Sequence, residues 1–153
     1  MNTSTSLNGK TAARRQRDRE FLQLYTQALE LALTQRVPDA KRLAVTWTIY
    51  NSSPHYHVSY ERAYKVVRSL LNGSAQPLRD SLQLQMWREI AGRVKMLRDR
   101  GKMSVAKALE FVLEHCRASR FFVTERYAYE TLVDRARREQ RAARGFTSFT
   151  NKP

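Results

Sequence analysis

Arginine is the side chain in this sequence best suited to chemistry, and the chemistry it suits is phosphate recognition. Its planar guanidinium presents a fork of donors that matches the oxygens of a phosphate group. Arg14, Arg15, Arg17 and Arg19 crowd one short run, and Arg135, Arg137, Arg138, Arg141 and Arg144 crowd another. Arg137, Arg141 and Arg144 follow i, i+4, i+7 and line one face of a helix. Arg88, Arg93, Lys95, Arg98, Arg100 and Lys102 form a third group. With 28 Lys and Arg against 14 Asp and Glu, the chain of 153 residues carries +14 and sits favourably beside any polyanion. Cations at a helix C-terminus complement the macrodipole, but the first cluster falls where a helix begins and opposes it, a placement that an external anion would relieve.

Other chemistry is sparse. His55 and His57 would point to the same side of an extended segment and could pair on a metal, yet no carboxylate or thiol lies nearby in sequence to complete a ligand set. His115 is followed directly by Cys116, the single cysteine, and adjacent helical positions face apart, so the two do not make a nucleophile and base. There is no glycine-rich phosphate loop, paired-carboxylate motif or zinc spacing. The expectation is a non-enzymatic protein with no catalytic residues, metal or cofactor.

The elements that must carry these arginines are set by an internal repeat. Pro54 to Tyr64 reappears 65 positions later as Ser119 to Tyr129, with Tyr56, Val58, Ser59, Ala63 and Tyr64 matched by Phe121, Val123, Thr124, Ala128 and Tyr129. At the same offset Phe21, Leu22, Tyr25 and Leu29 face Met86, Trp87, Ile90 and Val94, both runs spaced i, i+1, i+4, i+8 along one helical face. Leu43 and Trp47 align with Ala108 and Val112, and the tryptophans and tyrosines at such spacing are expected in the core. Each copy is read as three helices: 12–35, 39–50 and 59–71, then 78–100, 104–116 and 124–143. Asp39, Ser59, Ser104 and Thr124 are expected N-caps, Pro38 and Gly101 mark matching interruptions, and Asn72 to Pro77 marks the junction. With five glycines and four prolines the fold class is all-α, two tandem three-helix units sharing an interface. The divisions are a flexible N-terminus at 1–11, units at 12–73 and 74–144, and a flexible tail at 145–153.

A three-helix unit ending in a hydroxyl-capped helix is similar to the helix-turn-helix plan, in which the third helix enters the major groove. Here an extended connector of about eight residues replaces the short turn. Ala63, Val67 and Leu70, or Ala128 and Leu132, give the buried stripes, while Tyr56 and Phe121 pin the connectors. Tyr60, Glu61, Arg62, Lys65 and Arg68 face outward in the first copy, and Glu125, Arg126, Glu130 and Asp134 in the second. The run Ser53-Pro54-His55-Tyr56-His57-Val58-Ser59 also resembles a Pro-Arg-Phe-Tyr-Val-Ser-like motif of short bacterial and bacteriophage proteins, with His55 and His57 departing from it. That resemblance brings no activity with it. It implies a phage or mobile-element setting.

The expected function is therefore nucleic-acid binding, to DNA in the first instance, through phosphate contacts by Arg14, Arg15, Arg17, Arg19, Arg62, Lys65, Arg68, Arg126 and the C-terminal arginines. A regulator or packaging factor would fit. The alternative is a structural or adaptor protein whose basic surface meets an acidic partner or whose copies self-assemble, and a contiguous apolar patch would be its sign. No apolar run approaches the roughly 20 residues of a membrane span, and the polar N-terminus does not look like a signal peptide. The expected location is the cytoplasm, or a host cytoplasm or virion for a phage product.

Overall fold

A computed structural model describes residues 3–74 and 81–150, with side chains from 11–74 and 81–145. The described regular structure is helical, as the composition requires. It comprises α1 (Thr3–Thr34), α2 (Ala40–Tyr50), α3 (Tyr60–Leu71), α4 (Ser81–Gly101), α5 (Val105–His115) and a π-helical segment (Tyr127–Val133) that runs into α6 (Asp134–Thr150). α1 begins at Thr3, well before the expected start at Ala12, so Arg14 to Arg19 lie inside the helix and the expected opposition to its macrodipole does not arise. The expected start of α4 at Leu78 and the junction residues 75–77 lie outside the described residues, as do 1–2 and 151–153.

Three of the four expected caps form. The Ser59 hydroxyl accepts from the Arg62 N–H, Ser104 from Lys107 and Thr124 from Tyr127, at 3.4, 3.2 and 3.1 Å. Each satisfies one orphan donor of a first helical turn. Asp39 does not cap α2. Its φ of 53° turns the side chain away from the first-turn N–H groups, and the carboxylate instead lies 3.7 Å from Arg42. Pro38, beside it, and Arg36, at φ 55°, complete the tight reversal out of α1.

Two three-helix cores result, and each is built across the two copies of the repeat. One core joins α4 and α5 to α3, through Trp87, Ile90 and Val94, Leu109 and Val112, and Ala63 and Val67. The other joins α1 and α2 to the π segment, through Phe21 and Tyr25, Val45 and Ile49, and Ala128, Leu132 and Val133. Sequence-adjacent α2 and α3 thus serve different units, and the third helices are exchanged. The π turn, marked by the Asp134 N–H bonding to the Tyr129 carbonyl, lets Ala128, Leu132 and Val133 all reach the core.

The exchange is made by the two connectors, which meet at equivalent residues. Ser53 and Ala118, 65 apart like the repeat itself, form an antiparallel bridge with reciprocal backbone bonds of 3.0 and 2.9 Å. Arg117 donates to the Ser52 hydroxyl across the same pseudo-two-fold relation. Tyr56 and Phe121 then plunge into opposite units, both buried. Phe121 packs edge-on to Phe21 and its N–H donates to the Ile49 carbonyl. Arg120 folds back onto its own connector, donating to the Phe121 and Val123 carbonyls while lying over Tyr50.

The copies differ on their second helices. Ala108 and Val112 are fully buried, whereas their partners Leu43 and Trp47 are 49% and 52% exposed, against expectation. α2 presents Ala44, Val45, Thr48 and Ile49 to its core, a face rotated from the one α5 uses.

Candidate nucleic-acid interface

The repeat places the N-termini of α3 and of the π segment on either side of the connector crossing, and the N-terminal half of α1 lies along both. Two adjoining clefts follow. Arg14, Arg17, His57, Ser59, Arg62, Gln83 and Trp87 line the first, about 330 Å³ in volume. Arg14, Arg17, Gln83, Thr124 and Tyr127 line much of the second, about 270 Å³. They share Arg14, Arg17 and Gln83, so the two capped helix N-termini open onto one continuous basic groove. Each N-terminus adds partial positive charge and spare backbone donors to that of the arginines.

Arg17 is anchored. Its Nη2 donates to the Tyr127 hydroxyl at 3.0 Å, its guanidinium lies over the Tyr127 ring, and it pairs with Asp18 at 3.0 Å. Arg14 and Arg62 are exposed and form no ion pair among the described residues. The Trp87 indole N–H is buried and has no acceptor within the described protein. A buried donor left this way costs stability.

The remaining arginines separate. Arg15 and Arg19 lie with Arg135 around another cleft that also holds Asp18 and Glu139, so its charge is mixed. Arg126 and Arg135 are tied to Glu130 and Glu139 one turn on, at 3.1 and 3.2 Å. Lys65 and Arg68 are exposed along α3, Arg68 against the Tyr64 ring, and Tyr60, Glu61 and Arg62 face outward as expected. Arg137, Arg138, Arg141 and Arg144 lie on exposed turns of α6. Of the repeat residues, Tyr56, Ala63, Phe121, Val123 and Ala128 are buried, while Val58 and Tyr64 are half-buried and Tyr129 is exposed. Cys116 is half-buried, and His115 lies exposed beside Phe111 and Glu114.

Sequence spacing paired His55 with His57 but gave no sign of the third member of a cluster beside the groove. Glu20, on α1, is reached by both connector histidines: His55 Nδ1 lies 2.9 Å from its Oε1 and His57 Nε2 lies 2.5 Å from its Oε2. Burial pushes the Glu20 carboxyl up, but hydrogen bonds from His57 and Gln16 and the field of the histidines outweigh it and leave it below its ordinary range. Burial likewise depresses His57, only partly offset by Glu20, so a neutral imidazole donates to an ionised carboxylate.

A second feature is apolar. Ala28, Leu31, Val37, Leu43 and Trp47 line an open cleft of about 170 Å³ between α1 and α2. Among the described residues no helix is long and apolar enough to cross a membrane. No family model, curated protein or solved structure matches this chain.

Proposed function

We propose that this protein binds nucleic acid without catalysis, gripping phosphates in the groove between the Ser59 and Thr124 helix caps. The observation that carries the proposal is convergence: Arg14 and Arg17 of α1 and the sequence-distant Arg62 of α3 share a cleft with a helix N-terminus. Arg17 supplies a cation held by Tyr127 and Asp18, while Arg14 and Arg62 supply exposed ones without an ion pair among the described residues. Gln83 and the cap hydroxyls add neutral polar groups of the kind that position a backbone. Duplex DNA is the substrate proposed first, since adjoining basic clefts offer a polyanion more than one phosphate contact. A cytoplasmic location goes with this role.

The test is fluorescence anisotropy of a labelled duplex of about 20 base pairs at low salt, with RNA in parallel. Micromolar or tighter binding that weakens steeply with salt is expected. No binding to either nucleic acid would overturn the proposal.

The Leu31, Leu43 and Trp47 cleft supports a second reading, in which the chain also docks on a protein, as an adaptor or assembly component. Light scattering at rising concentration addresses self-association. A monomer throughout would leave self-assembly without support.

A further inference from the structure

We infer that Glu20, His55 and His57 form a binding site for a divalent transition-metal cation of the zinc class, and that the ion staples the connector crossing to α1. Each residue offers one ligand atom, and the three atoms lie within 4.8 Å of one another. Tetrahedral zinc with bonds of about 2.0–2.1 Å holds its ligand atoms roughly 3.3 Å apart. The His–Glu contacts of 2.9 and 2.5 Å, one to each carboxylate oxygen, would open by less than about 1 Å, and the widest pair of ligand atoms would close by at most about 1.5 Å, as the ion displaces the protons of those hydrogen bonds. Two imidazoles and one carboxylate are the donor set of zinc, cobalt, nickel or ferrous iron. Magnesium and calcium, which demand oxygen, are disfavoured.

The surroundings prepare the ligands. Gln16 donates to Glu20 Oε1 at 3.1 Å and orients the carboxylate from behind. The His57 ring is stacked on Phe121 with planes 11° apart. His57 itself sits at φ 58°, a conformation uncommon for any residue but glycine, and so the chain holds its imidazole inward at a backbone cost. The side chains of His57 and Glu20 are 3% and 16% exposed and that of His55 is 40% exposed, so an ion would be held from within and keep a coordination position toward solvent. Arg17 lines the cleft beside the histidines, and its charge is shared with Asp18. The carboxylate absent from the local sequence is supplied by tertiary structure, 35 residues away from His55.

Cobalt titration of the full chain, freed of metal by a chelator, provides the test. One equivalent of Co²⁺ is expected to produce visible ligand-field bands that Zn²⁺ displaces, and Zn²⁺ is expected to raise Tm. Glu20→Gln and His55→Ala are each expected to weaken binding by more than about tenfold, the lower end of what losing even a supporting partner costs. His55→Ala alters an exposed ligand and leaves the Glu20–His57 contact in place, so it keeps the test informative should Glu20→Gln unfold. Absence of bands at saturating cobalt overturns the inference. Bands that survive both substitutions also overturn it, since they place the ion elsewhere.

Discussion

Replacing Arg14 and Arg62 together by Gln separates groove binding from general attraction. Both are exposed and unpaired among the described residues, so the fold should hold within about 0.5 kcal/mol. Each arginine that neutralises one phosphate contributes about 0.9 to the slope of log affinity against log salt. Losing two flattens the slope by about 1.8. Across a fourfold rise in salt the wild-type affinity then falls about twelvefold further than that of the variant. Anisotropy of a labelled duplex between about 50 and 200 mM salt reads this directly. The control is Arg98→Gln with Arg135→Gln, which removes the same formal charge from two arginines that are already paired to Asp99 and Glu139 and do not line the groove. An unchanged slope in the Arg14/Arg62 variant, or equal flattening in the control, would refute the placement of the site.

Two further predictions concern the frame. Phe121→Ala removes the ring that one connector inserts between α1 and α2, so a loss of about 3–5 kcal/mol is expected in urea. Because the units share crossed connectors, the loss should appear as one cooperative transition. Two resolved transitions would contradict the exchanged arrangement. The Glu20 and His57 pKa values both lie below their ordinary values in the folded state, so the unfolded chain takes up more protons. The stability these two groups contribute is present above about pH 6.5 and is lost as pH falls, first through the His57 window and then, below about 4.5, through that of Glu20. A urea midpoint flat from pH 7.5 to 4 would contradict this.

The sequence made legible what depends on local spacing. The caps at Ser59, Ser104 and Thr124, the buried stripes from Phe21 to Leu29 and from Met86 to Val94, and the anchoring of Tyr56 and Phe121 all follow from period and residue type. The exchange of third helices does not, because an amphipathic pattern fixes which face is buried and says nothing of the partner. Ala63 with Val67 and Ala128 with Leu132 are nearly interchangeable plugs, and a connector of about eight residues reaches either socket. Trp47 escaped for a related reason: apolar or small side chains occupy more than one face of α2, and packing chose the face of Ala44 and Ile49. The groove was half visible. Arg14, Arg17 and Arg62 stood out singly, but their meeting, like that of Glu20 with the histidines, depends on the tertiary path.

Hydrogen exchange of the full chain with and without duplex DNA tests most directly the central claim, that phosphates sit between the two helix caps. Protection is expected around Arg14 to Arg17, at Ser59 to Arg62 and at Thr124 to Tyr127, three segments joined only by the fold. Protection confined to the arginine-rich turns of α6, with these three segments unchanged, would contradict it.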